Sequence, residues 1–201
     1  LLGWNDGTEQ EIFSKEELVE KFSMERVHNA GAKFDYEKAK WFNHEWIKKS
    51  TVRNLQSTVK ALLSQNGITV NDDSLLEKVI GLVKERCTLL PDFAQQSSFF
   101  FKAPETLDVD AVKPKWNEAK QLFFAELIRN YELATSWDTH TLENNFKEIA
   151  AANELKPGEL MLPFRIMLVG GKFGPGVFDI AEVLGRPETI DRISKAIKLF
   201  A

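Results

Sequence analysis

Apolar residues in this chain recur at intervals of three and four, and helix-capping residues sit where those stripes begin. Ser14-Lys15-Glu16-Glu17 has the form of a capping box, with Ser14 placed to accept from the third helical amide and Glu17 to reach back to the cap. The helix it opens is expected to run to about Phe22. Asp35 caps a second predicted helix through Lys49, with Tyr36, Ala39, Phe42 and Trp46 on its buried face. Ser50 or Thr51 opens a third, which stops at Asn66-Gly67. Asn71, Asp72 or Asp73 opens a fourth that carries Leu75, Val79, Leu82 and Val83 as far as Arg86. Trp116, Ala119, Phe123, Leu127 and Tyr131 form one stripe of a long helix. A last helix starts with Pro187 at N1 and buries Ile190, Ile193, Ile197 and Phe200. No clear period-two alternation marks a strand anywhere, so the expected fold is all-α.

Composition narrows the function classes. With 43% hydrophobic and 28% charged residues the chain has ordinary globular content, which argues against intrinsic disorder. The longest apolar runs, such as Phe99 to Phe101, are too short to span a membrane. The opening Leu1-Leu2-Gly3-Trp4 has no basic region or signal core, and a first residue other than Met reads as a chain cut from a longer parent. A single cysteine, Cys87, excludes an internal disulfide and a multi-cysteine zinc site, and fits a reducing cytoplasm. The net charge of −4 is uneven: residues 1–32 carry −4, residues 33–60 carry +4, residues 61–157 carry −5 and residues 158–201 carry +1. The second and fourth stretches are where a polyanion would be sought. The polar, proline-bearing stretch from Lys102 to Lys115 is the best internal linker, and a second boundary is expected near Ser50.

The catalytic inventory is thin. His28, His44 and His140 form no zinc-binding pattern, and His44-Glu45 reads as an exposed helical dipeptide. Cys87 sits at a helix C-terminus, where the dipole disfavours a thiolate, so it reads as structural. Neither a nucleophile elbow nor a Walker loop occurs. Gly170 to Gly176 is glycine-rich; it reads either as a tight interhelical turn or as backbone exposed for close approach to a ligand. Lys38, Trp41, Glu45 and Lys48 share one helical face. Lysines around a flat ring suit a sugar–phosphate backbone, and the competing reading is a half-buried Trp overlain by lysine stems. Arg165 interrupts the apolar run from Leu160 to Val169 and is expected to need a carboxylate or a nucleic acid as partner.

Several sequence words then occur in a specific order: Leu1-Leu2-Gly3-Trp4, Glu11-Ile12-Phe13, Phe22 to Val27, Phe34-Asp35-Tyr36 through Asn43, Val83-Lys84-Glu85-Arg86, Leu162-Pro163-Phe164-Arg165, Gly174-Pro175-Gly176-Val177-Phe178-Asp179-Ile180 and Val183-Leu184-Gly185. Together they resemble the C-terminal part of a bacterial-type class I glutamyl-tRNA synthetase, over nearly the whole chain. The resemblance implies a helical stem-contact segment (residues 1–50) followed by a two-part anticodon-binding α-helix cage, residues 51–105 and 106–201. The family's KMSKS loop and HIGH-like signature do not occur here. The chain is therefore expected to keep tRNA binding and to lack aminoacylation. It would carry no cofactor and no metal of its own, ATP and magnesium belonging to the parent's catalytic domain. Carried over by position, the resemblance makes Arg86 the reader of the third anticodon letter and Arg165 a contact to the first. Gly174, Pro175 and Val177 would line the base pocket. Lys38 and Trp41 would be stem contacts with Asn5, Glu11, His28 and Lys48 near the same groove, and Lys147 would face the anticodon arm. The implied partner is glutamate tRNA, with no DNA and no membrane, bound by a cytoplasmic monomer. The alternative is a helical protein–protein scaffold that docks through Phe99-Phe100-Phe101 and the tryptophans.

Overall fold

The computed structural model describes residues 3–28, 31 and 33–200; Leu1 and Leu2 of the opening word lie outside them. The fold is all-α. Among the described residues ten α-helices and four short 3-10 turns account for the regular structure, and extended pairing is confined to one bridge between Trp4 and Val27.

Local chemistry places the helix starts where the sequence marks them. In α1 (Lys15–Lys21), Glu17 donates its amide to the Ser14 hydroxyl at 3.1 Å and returns a carboxylate to the Ser14 amide at 2.6 Å. Asp35 caps α2 (Tyr36–Lys49), Thr51 caps α3 (Val52–Gln65) and Asp72 caps α4 (Asp73–Val83). A 3-10 turn, Lys84–Arg86, extends α4. After α5 (Asp92–Phe101), the stretch expected as a linker forms two 3-10 turns, Val109–Ala111 and Lys113–Lys115. Its Asp108 amide donates to the Gly170 carbonyl at 2.8 Å. Gly170 itself is left-handed (φ +85°), and a Cβ there would lie 2.7 Å from the Thr106 carbonyl. The stretch is thus strapped to the end of a later helix.

Five helices complete the chain: α6 (Glu118–Leu133), α7 (Thr139–Ala152), α8 (Pro157–Val169), α9 (Val177–Leu184) and α10 (Arg186–Phe200). Phe146 is the hub of their core, packed against Phe123, Phe164 and Phe178 at centroid distances of 5.0, 5.4 and 5.4 Å. Burial of these rings drives the packing of α6 to α9.

Several expected faces are corrected. In α2, Tyr36 and Trp46 are exposed, Ala39 and Phe42 are half-buried, and Ile47 is the residue sealed inside. The inner face of α4 is Leu76, Val79, Ile80 and Val83, with Leu75 and Leu82 only half-buried. Helix α6 starts after the Asn117 cap, so Trp116 precedes it; Ala119 is exposed, and Lys120, Phe123, Phe124, Leu127 and Tyr131 point inward. Helix α10 begins one residue before Pro187 and buries Thr189, Arg192, Ile193, Ala196 and Phe200.

Candidate nucleic-acid interface

Arg165 stands on α8 and is half-buried. Its Nη1 donates to the carbonyls of Phe173, Gly174 and Pro175 at 3.0, 3.2 and 2.6 Å. No carboxylate partners it among the described residues; backbone of the glycine loop, an acceptor that the sequence reading did not offer, satisfies one edge of the guanidinium. Among the described residues Nη2 and Nε have no partner. Burial, and then the charge of Arg86, hold the Arg165 pKa below its usual value. Two guanidiniums close enough to repel each other mark a site that gains from an electron-rich visitor.

Arg86 reaches this place from the other side, on the 3-10 turn that ends α4. It is exposed, and with Glu85, Gly81, Leu82, Pro175, Gly176 and Asp179 it lines a cleft of about 520 Å3. Gly81, Leu82 and Asp179 also border a neighbouring cleft of about 590 Å3 that continues along α4 and α9 to Thr139. The loop between α8 and α9 is shaped by two glycines. Gly174 has φ +97°, a left-handed conformation that β-branched residues avoid. A Cβ on Gly176 would strike the Asp179 carboxylate at 2.1 Å. Gly176 is also the N-cap of α9 and offers no side chain, so the positive end of that helix dipole adds to the two arginines. Val177 is 1% exposed, which restricts any part it has in lining the pocket to its backbone. Pro175 is likewise buried.

The other singled-out residues gather near the N-terminus. Asp6 organises this part: its carboxylate accepts from the Thr8 amide and hydroxyl and from Lys21, which holds its pKa down to about 2. Trp4 packs on Phe13 and Phe22. Asn5 and His28 approach each other at 3.5 Å. Lys38 is ion-paired to Glu11, and Lys48 to Glu45 at 3.1 Å. Trp41 is 41% exposed beside these lysines, with its ring edge-on to Phe42 at 5.0 Å. Lys147 pairs with Glu143 on α7 and is not among the residues lining the Arg86 cleft.

Two expectations about reactive side chains have different outcomes. His44 is half-buried, not exposed, and its Nδ1 donates to the Cys87 carbonyl at 2.9 Å. Cys87 is fully buried; burial first and the nearby Asp92 charge second push its thiol pKa up to about 12. A raised pKa keeps the folded thiol neutral while an unfolded one ionises above about pH 8.5. Its contribution to stability is therefore constant at neutral pH and falls as pH climbs towards 12. Iodoacetamide at pH 8 is expected to label Cys87 no faster than the protein opens. Rapid labelling of native protein would contradict the burial.

A family model described as an anticodon binding domain matches residues 36–197. The chain belongs to this family. The anticodon-binding domain is also 42% identical over 197 residues to the glutamate–tRNA ligase of Flavobacterium johnsoniae and 44% identical over 197 residues to that of Flavobacterium psychrophilum. In each case the match covers 98% of this chain and 39% of the relative. A crystal structure of a glutamate tRNA ligase from Elizabethkingia meningosepticum superposes with a TM-score of 0.91 at 35% identity, covering all of this chain and 40% of that one. The glutamate-tRNA synthetase of Elizabethkingia anophelis gives 0.87 at 35% identity, covering 98% of this chain and 39% of that one. This domain thus spans about two fifths of the length of the relatives it matches. Sequence reasoning took His44 as exposed and gave Lys84 and Asp179 no role of their own around the Arg86 turn. A histidine on a helix and two single charged residues, Lys84 after Val83 and Asp179 between Phe178 and Ile180, carry no signal at the level of spacing.

Proposed function

We propose that the domain binds the anticodon arm of glutamate tRNA for a glutamate–tRNA ligase whose remaining length carries the ATP- and magnesium-dependent chemistry. The observation that carries this reading is that Arg86 and the loop residues Pro175 and Gly176 line one cleft, while Arg165 holds that loop through the Pro175 carbonyl and feels the charge of Arg86. Unstacked anticodon bases present hydrogen-bonding edges, and planar donors of fixed charge suit them. At the third letter, cytosine offers O2 and N3 as acceptors, which the Arg86 fork complements. Guanine presents N1–H and N2–H2 donors there, a mismatch worth about 1–3 kcal/mol. Arg165 and the loop of Gly174, Pro175 and Val177 take the first letter and its pocket wall. Lys38, Trp41 and Lys48, with Asn5, Glu11 and His28, meet the stem, where a phosphate exchanges with Glu11 and Glu45 for the lysines. Lys147 faces the same arm. The division at residues 50 and 105 belongs to this proposal, as do a monomeric state and a cytoplasmic setting. Among the described residues no helix is long and apolar enough to cross a membrane.

The scaffold alternative loses its main surface. Phe99 and Phe100 are buried and Phe101 is half-buried, because this run is the inner face of α5.

The test is titration of glutamate tRNA, intact and without its anticodon loop, across a salt series. Affinity is expected to fall with a log–log slope of about 0.7 per neutralised single-strand phosphate and to weaken sharply when the loop is removed. Arg86→Gln is expected to lower the preference for cytosine over guanine at the third letter by about tenfold. Salt-insensitive binding, or an unchanged preference, would sink the reading.

A further inference from the structure

The turn that presents Arg86 is gripped on both sides by α2, the helix that carries the stem-facing residues. On one side, Lys84 donates its ammonium to the Lys48 carbonyl at 3.1 Å and the Ser50 carbonyl at 3.4 Å. These oxygens lie at and just beyond the end of α2, where the last carbonyls lack helical partners and the dipole is negative. On the other side, His44 Nδ1 donates to the Cys87 carbonyl at 2.9 Å. The turn is closed on itself by the Cys87 amide, which donates to the Lys84 carbonyl at 3.2 Å, and Cys87 is anchored in the core. Arg86 lies between the two points of attachment. Its guanidinium is exposed, while the backbone from which it extends is tied to α2 through the residues on either side.

We propose that His44 and Lys84 are positioning residues that fix Arg86 from α2, so that stem contact and third-letter reading share one rigid reference. The inference rests on the proposed reading by Arg86. Its physical content is that discrimination needs the donor fork held at the base edge. A turn that drifts lets Arg86 satisfy either base, because a long side chain follows whichever acceptors are offered. Helix α2 is well suited to set the turn: its outer face carries Lys38, Trp41 and Lys48, so a bound stem holds the same helix that holds the turn. Neither His44 nor Lys84 need touch the RNA for this.

The experiment compares binding of two synthetic glutamate-tRNA anticodon hairpins, with cytosine or guanine at the third letter, to the wild-type chain and to its variants. Lys84→Met keeps the aliphatic stem and loses the donors; His44→Phe keeps the ring and loses Nδ1–H. Each is expected to lower the cytosine preference about tenfold, the upper end of what one hydrogen bond contributes. Lys84→Arg and His44→Gln, which retain donors, are expected to restore it. In an Arg86→Gln background, Lys84→Met is expected to change the preference no further. A full preference in both Lys84→Met and His44→Phe, with Arg86→Gln still lowering it about tenfold, overturns the positioning role and leaves the Arg86 reading intact. A further fall in the double variant also overturns it, since Lys84 would then act without Arg86. An unchanged preference in Arg86→Gln overturns the reading and the inference together. Loss of helical signal in Lys84→Met would transfer the decision to the His44→Phe and His44→Gln pair.

Discussion

Replacing Arg192 by methionine is expected to cost about 3–5 kcal/mol of folding stability, the range for breaking a sealed charged network by removing one partner. Arg192 is 5% exposed on α10. Its Nη1 donates to the Leu168 carbonyl near the end of α8, its Nη2 to the Phe99 carbonyl near the end of α5 at 2.8 Å, and its Nε to Glu188 at 2.7 Å. One guanidinium thus satisfies the orphan carbonyls of two helices and joins segments that lie on either side of the Lys102–Lys115 stretch. Methionine fills most of the volume but offers no donor, so both carbonyls stay dry and unpaired at about 1–3 kcal/mol each. Glu188 is nearly half exposed and regains water, so its loss of partner adds little. The expected change is a melting temperature lower by about 10 °C, read by circular dichroism. A shift of a degree or two would mean that water replaces the arginine and that the site is not sealed.

Arg192 also shows where sequence reading stops. It lies on an amphipathic helix between Asp191 and Ile193, with Glu188 four residues before it, and such a residue reads as solvent-facing. Its partners Leu168 and Phe99 are 24 and 93 residues away. Helix starts were legible because a cap is local: the side chain of Ser14, Asp35, Thr51 or Asp72 bonds an amide two or three residues on. Which stripe of a helix is buried was less legible. Helix α4 is apolar on more than one side, and contact with α3, α5 and α9 selects Leu76 and Ile80 over Leu75 and Leu82. Helix α2 carries aromatics all around, and its packing against the Lys84–Arg86 turn selects Ile47 over Trp46. At the candidate site, the sequence singled out Arg86, Arg165 and the glycine loop, but their convergence depends on the packing of α4 and α5 against α9, which no spacing encodes. The loop carbonyls that hold Arg165 were invisible for the same reason, since backbone acceptors leave no trace in residue identity.

On the proposed reading Arg165 is the residue at which structure and recognition compete, and substituting it two ways separates them. Arg165→Ala removes the donor to three loop carbonyls and the free guanidinium edge together. Affinity for the anticodon hairpin is expected to fall about 10–100-fold, the range for an arginine that reads a base edge, with added loss from a loop no longer held. Helical content is expected to persist, because α8 and α9 keep Phe164, Ile166, Phe178 and Ile180 in the core. Arg165→Lys divides the two roles. An ammonium has three donors, enough for the carbonyls of Phe173, Gly174 and Pro175, but it has no second edge to turn toward a base. The lysine variant is therefore expected to melt close to wild type while binding nearly as weakly as the alanine variant. If lysine instead restores affinity, then Arg165 serves only to tie down the loop, and the first anticodon letter is met by backbone alone. The outcome turns on Nη2 and Nε, the edge the loop leaves unused.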